Sequence, residues 1–286
     1  MGPGRQGTQR GRRAVRPLLA LLVVGAILVG GVAVLWNLQR QLIYFPDASP
    51  VPPAGEAIDG ARTVGLETAD GLDLEAWFVP PPTDGRARGM AVLIAPGNGG
   101  NRLGRAGIAE DLRAVGFAVL LLDYRGYGGN PGSPSEEGLA ADADAAVTAL
   151  TGLGYPPERT LYLGESLGTG VVAALQARTP PAGVVLRSPF PDLASVGAHV
   201  YPWLPVRLLL RDRFPVTEHL RGSSVPVTVI HGTADAVVPS GLSAEVARTV
   251  PVLVEEVVLP GVGHNDPQMY GAPVVAAVTR LADRVA

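Results

Sequence analysis

The stretch from Thr160 to Arg178, TLYLGESLGTGVVAALQAR, decides how this chain is read. It opens as an apolar strand, LYLG, and continues from Leu167 with helical spacing, and the switch is made at Gly164-Glu165-Ser166-Leu167-Gly168. A G-x-S-x-G pattern alone is weak evidence in a chain with 37 glycines. Between a strand and a helix it marks a sharp turn that forces its serine into a strained backbone. Gly164 and Gly168 supply room where a Cβ would collide with the neighbouring strand and helix. The N-terminus of the helix lies beneath Ser166, and its free N–H groups and dipole favour a developing negative charge. The plain alternative is a Gly/Ser helix cap without chemistry. Strand, turn and helix together favour a nucleophile.

Outward from this turn the pattern repeats. Met90–Ala95, Ala118–Leu122, Thr160–Leu163, Gly183–Leu186 and Val225–Ile230 are short continuous apolar runs, and Leu253–Leu259 is a further strand candidate. Such runs suit strands buried on both faces, hence a parallel sheet covered by helices. Residues 62–69 and 72–79, split by Asp70-Gly71, read as a hairpin. Helical patterns lie at Arg102–Val115, Leu167–Arg178, Leu242–Val250 and Ala272–Val285. Another begins at the capping box Ser133-Pro134-Ser135-Glu136 and runs to about Leu153. The fold class expected is α/β, with a mostly parallel central sheet, helices on both faces and an antiparallel entry. Between 189 and 221 the rhythm breaks into an apolar, Pro-punctuated segment, read as a small helical cap.

A serine hydroxyl needs an adjacent base. Among four histidines, His264 lies in GVGH after the last strand, and Asp235 lies in HGTAD after the strand before it. The order Ser, acid, His suits the motif, and loops after parallel strands are where catalytic groups gather. His264 is assigned as base and Asp235 as the group that orients it. His231 precedes the acid and reads as a loop anchor, while His199 and His219 read as incidental cap residues. Asp266 is the competing acid, too near His264 in sequence. Asp142 and Asp144 read as a solvated helix face. The loop Pro96-Gly97-Asn98-Gly99-Gly100-Asn101 supplies a backbone N–H at Asn98, and Leu167 supplies another, as two donors to a developing oxyanion. The same loop with Asp123 has a faint dinucleotide-binding look, but Arg102 stands where a third glycine belongs.

Hydrophobic residues make up 47% of the 286 residues and charged ones 17%, and the net charge of −3 gives no reason to expect nucleic-acid binding. All 23 basic residues are arginine. The absence of cysteine excludes disulfides, thiolate catalysis and Cys-ligated metals. Arg5, Arg10, Arg12, Arg13 and Arg16 precede an uncharged apolar run from Leu18 to Trp36, long enough to span a bilayer. Residues 1–16 are expected to be disordered, 17–37 a transmembrane signal-anchor, 38–60 a juxtamembrane linker and 61–286 the globular domain. The arginines predict a cytoplasmic N-terminus with the domain on the outer face of the membrane. A cleavable signal peptide is the runner-up.

These residues resemble the membrane-anchored α/β-hydrolase-domain serine hydrolases of the bud-emergence-type branch. The marks are LQRQLIYFP, PGNGGNR, LLLDYRGYGGNPGSPSEEGLAADADAA, LGESLGTG, HGTADAVVP and GVGHND. The resemblance implies the α/β-hydrolase fold, a Ser166–Asp235–His264 triad, no cofactor or metal, and hydrolysis of esters, thioesters or amides. Relatives act on acyl chains of lipids or lipidated proteins, so a small or lipid-like acyl substrate is expected. Relatives usually carry His before the oxyanion glycine, whereas this chain has Pro96. A carboxylic-ester or thioester hydrolase is taken first, although nothing in the residues separates it from an amide hydrolase. A peptide hydrolase using the same triad and a catalytically silent membrane scaffold stand behind it. The apolar cap residues Tyr201, Trp203, Leu204, Val206 and Leu208–Leu210 are expected to favour an apolar substrate.

Overall fold

The computed structural model of the chain describes residues 8–286 and divides it into two units, Met1–Leu42 and Ile43–Ala286. Residues 1–7 of the expected disordered tail lie outside the described residues. From Thr8 to Ile43 the chain is one helix, α1, so the helix begins inside the stretch expected to be disordered and overruns the expected start of the linker. Helix growth costs little once a nucleus exists, and the flanking Arg, Gln, Ala and Leu residues are good helix formers. Leu22–Ile43, with mean hydropathy 2.0, is long and apolar enough to cross a membrane.

The second unit begins with β1 (Phe45–Pro46), a single turn α2 (Ala54–Ala57), and the hairpin β2 (Arg62–Glu67) and β3 (Asp73–Val79). Then follow β4 (Ala91–Ala95), β5 (Gly99–Gly100), α3 (Ala106–Ala114), β6 (Ala118–Leu121), α4 (Glu136–Gly152), β7 (Thr160–Glu165), α5 (Leu167–Arg178) and β8 (Gly183–Arg187). Three short helices, α6 (Leu193–Val200), α7 (Val206–Leu209) and α8 (Val216–Leu220), occupy the expected cap. After them come β9 (Val227–Gly232), α9 (Ser240–Thr249), β10 (Leu253–Leu259) and α10 (Ala272–Val285).

Eight strands form one sheet in the order β10-β9-β8-β7-β4-β6-β3-β2, antiparallel only at the β2–β3 and β3–β6 pairs. Successive strand residues serve opposite faces. Leu93, Leu120 and Tyr162 pack with residues of α4 and α5, including Leu139 and Leu175. Val92, Val119 and Leu163 pack with α3 and α10, through Leu112 and Leu281. The register pairs Ala95 with Gly164, Glu165 with Arg187, and Leu259 with Gly232. The strands therefore end together, and the loops after β4, β7, β8, β9 and β10 emerge along one edge.

Three local expectations are corrected. The expected linker over 38–60 is, from Ile43 onward, packed structure: Tyr44, Ala54 and Ile58 are buried and β1 pairs in parallel with β5. The cap of α4 is Ser135, whose Oγ accepts from Gly138 N–H at 3.0 Å, not Ser133. Glu136 is drawn elsewhere, accepting from the N–H of Phe214 at 2.8 Å, which leaves no capping box at Ser133. Asp142 is wholly buried and grips the Nε of Arg125 at 2.9 Å, so only Asp144 matches the solvated reading.

Candidate active site

Ser166 stands between β7 and α5 with φ 50° and ψ −114°, a backbone that side-chain-bearing residues rarely adopt. The strain is held by packing on both sides. A Cβ on Gly164 would lie 2.6 Å from Gly168 O, and one on Gly168 would lie 2.2 Å from Ala95 O. Only glycine lets α5 approach β4 this closely. Ser166 N–H donates to Arg187 O at 2.8 Å, which ties the apex to the end of β8.

His264, on the loop after β10, uses Nδ1 toward Asp235 Oδ2 at 2.7 Å. With Nδ1–H donated to a carboxylate, the lone pair is left on Nε2. Asp235 is fully engaged: Oδ2 also accepts from Ser188 Oγ at 2.9 Å, and Oδ1 accepts the N–H groups of Val237 at 2.9 Å and Val238 at 2.8 Å. Burial disfavours the charge on Asp235, but these donors, His264 foremost, outweigh it and keep its pKa below the ordinary value. The competing acid is spent on its own loop, where Asp266 Oδ2 accepts from Gly263 N–H at 2.6 Å. His231 behaves as an anchor, its ring bridging Glu256 Oε1 at 2.9 Å and Ser240 Oγ at 3.2 Å.

Ser166 and His264 face one cavity of about 460 Å³. Among the described residues the Ser166 hydroxyl makes no hydrogen bond, to His264 or otherwise. Such bonds are often long without substrate and tighten around it. Asn98 also lines the cavity, and neither its N–H nor that of Leu167 is donated among the described residues. Two donors are thus free beside the serine.

Several residues of the site were not anticipated. Glu165, the variable residue of the motif, is wholly buried and shares Oε2 between Arg105 Nε at 3.2 Å and Arg187 Nη2 at 3.3 Å. Burial disfavours its charge, yet Arg187 and Arg105 hold its pKa below the ordinary 4.5. Arg187 also donates to His264 O at 3.2 Å, and Arg105 donates to the carbonyls of Gly99 and Asn101, each at 3.2 Å. One carboxylate therefore links the serine turn to the His264 loop and to the Asn98 loop. A charged residue closing an otherwise apolar strand was the available signal.

The segment after α1 is the second surprise. Phe45 N–H donates to Asn98 O at 2.8 Å, and Asn98 Nδ2 donates to Ile43 O at 2.8 Å. Tyr127 Oη donates to the same Asn98 carbonyl at 2.9 Å, and the Phe45 side chain lines the cavity. The residues just past the apolar helix thus strap down the loop assigned to the oxyanion. Conversely, no cap residue from 189 to 221 is among those lining the cavity, and Trp203 and Leu208 are 76% and 81% exposed. The expected contribution of the apolar cap to an acyl pocket is corrected accordingly.

Comparison with known proteins agrees with this architecture. The sequence pattern of the alpha/beta hydrolase fold matches residues 91–225. Alpha/beta hydrolase domain-containing protein 17C of Bos taurus is 32% identical over 77% of this chain and 71% of its own length. The chain belongs to the α/β-hydrolase family. An uncharacterized protein of Mycobacterium tuberculosis is 46% identical over 95% of this chain and 96% of its own. Among solved structures, a Pyrococcus furiosus esterase superposes with TM-score 0.67 at 18% identity, covering 85% of this chain and 97% of that one. The esterase domain of a Rhodothermus marinus protein superposes with TM-score 0.60 at 22% identity, covering 78% and 98%. At these identities the superpositions speak to fold alone.

Proposed function

We propose that this α/β-hydrolase is a serine hydrolase that cleaves carboxylic esters or thioesters of acyl groups through an acyl-enzyme. The observation that carries the reading is the His264 Nδ1–Asp235 bond of 2.7 Å, in a cavity that also holds Ser166 on its strained turn. In the proposed reaction His264 Nε2 takes the Ser166 proton as Oγ attacks the substrate carbonyl. The N–H groups of Asn98 and Leu167 receive the oxyanion. Collapse expels the alcohol or thiol, protonated by His264, and leaves an acyl-serine. Water, deprotonated by the same imidazole, then releases the acid and restores Ser166. Ionised Asp235 stabilises the imidazolium formed in both halves.

The resemblance to the bud-emergence-type branch and the apolar stretch Leu22–Ile43 support a single membrane span, and the arginines before it support a cytoplasmic N-terminus with the domain outside. No observation favours amide over ester cleavage. The test is a panel of p-nitrophenyl esters of rising chain length, acyl-thioesters and a peptide library, run on wild type and Ser166→Ala. Ester or thioester turnover abolished by Ser166→Ala is the expected result. Turnover confined to peptides would move the assignment to amide hydrolysis, and folded wild type without any turnover would leave a scaffold.

A further inference from the structure

Among the described residues the cavity beside Ser166 has no acidic side chain on its wall, and its full charges are two guanidinium groups, Arg105 and Arg187. Glu165 offers a single oxygen to both arginines, and its Oε1 is unpartnered. The nearby buried Asp123 is held by Arg102 at 2.8 Å. One Glu165 oxygen therefore serves both buried guanidinium groups, with Asp123 adding only a through-space charge at Arg105, an arrangement that leaves room for a further anion on the open side.

The arginines differ in what they have left to give. Arg187 is 1% exposed, bonded to Glu165 and to His264 O, with its guanidinium 4.3 Å from the Tyr270 ring centroid and its unpartnered Nε shut off from the surface. Arg105 uses Nε on Glu165 and Nη1 on two carbonyls, while its Nη2 donates to no described residue and is not among the buried unpartnered atoms. That nitrogen and the serine flank the same glycine: a Cβ built on Gly97 would lie 3.4 Å from Glu165 O, 3.5 Å from Ser166 Cβ and 4.0 Å from Arg105 Nη2, so the missing side chain leaves room beside both.

We propose that the cavity takes an ester or thioester bearing a second group, a carboxylate, on its acyl chain or leaving group, and that Arg105 Nη2 receives that carboxylate. Guanidinium–carboxylate contacts are directional and strong in partly dehydrated sites. The inference rests on the Ser166 hydrolase reading above and narrows it to anionic substrates.

The experiment uses the full chain in detergent micelles and pairs of esters differing only in charge. The mono-4-nitrophenyl esters of succinic, glutaric and adipic acids are set beside their methyl-capped counterparts. On the leaving-group side, 4-acetoxybenzoate is set beside its methyl ester. Rates are corrected for spontaneous hydrolysis. The expected result is a kcat/KM ratio of charged to neutral ester of about tenfold or more in at least one pair, the scale of one hydrogen bond to a charged group. The ratio should fall to near one in Arg105→Gln and partly return in Arg105→Lys. Whatever Arg105→Gln does through the loop it holds affects both members of a pair and cancels in the ratio. A wild-type ratio at or below one in every pair, or a ratio that survives Arg105→Gln, overturns the inference while the hydrolase reading stands. No turnover of any ester by folded protein overturns both.

Discussion

Glu165→Gln probes the joint between fold and site. The carboxylate is wholly buried, with Oε2 3.2 Å from Arg105 Nε and 3.3 Å from Arg187 Nη2. The substitution keeps shape and an acceptor oxygen but removes the charge, leaving two buried guanidinium groups without the carboxylate they share. Removing one partner of a buried ion pair costs about 3–5 kcal/mol, and the retained acceptor argues for the lower end, about 3 kcal/mol. For a domain of this size each kcal/mol moves the melting midpoint by about 2–4 °C, so a fall of about 6–12 °C is expected. Circular dichroism melts of the full chain at pH 7.5 would measure it. Asp84→Asn, which breaks the exposed Asp84–Arg86 pair, is the control and should leave the midpoint at the wild-type value within error, because solvent screens a surface pair. Because the folded-state pKa of Glu165 lies below 4.5, its contribution is complete above that pH and fades as pH falls through the lowered value. The gap between wild type and variant should therefore narrow on acidification below about pH 4.5. A Glu165→Gln midpoint within about 2 °C of wild type at pH 7.5 would refute this account of the buried carboxylate.

Other outcomes follow from single contacts. Gly168→Ala would put a methyl 2.2 Å from Ala95 O and should cost about 1–3 kcal/mol in urea unfolding and most of the ester turnover. Gly107→Ala, with nothing within 4 Å, should be neutral or stabilising by up to about 1 kcal/mol. Phe45→Pro removes the N–H given to Asn98 O, so its kcat should fall well below that of Phe45→Ala, which keeps the bond; equal values would mean that the strap does not support the loop. Asp235→Asn should lower kcat by ~10⁴ with little change in KM, because an amide no longer fixes the His264 tautomer.

Much of this architecture is legible in the sequence because it is local or periodic. The strand-turn-helix around Ser166, the apolar parallel strands and the loops carrying Asp235 and His264 each announce themselves within a dozen residues. What escaped depends on distant partners. Asp142 looks like any helix-surface carboxylate until Arg125 covers it. Ser135, not Ser133, caps the helix, and Glu136 spends its carboxylate on the Arg213–Phe214 backbone, a partner some 77 residues away that the sequence does not reveal. The 43–47 segment reads as linker by its Pro-rich continuation, and only the fold brings it to the Asn98 loop. Glu165 and its arginines are 60 and 22 residues apart in sequence, and no periodicity could pair them.

The most direct measurement is active-site labelling of the folded chain with a fluorophosphonate, read by mass spectrometry of the modified peptide. The account expects an adduct on Ser166, lost in Ser166→Ala and strongly slowed in His264→Ala. An adduct of equal yield in Ser166→Ala, or none in folded wild type, would contradict it.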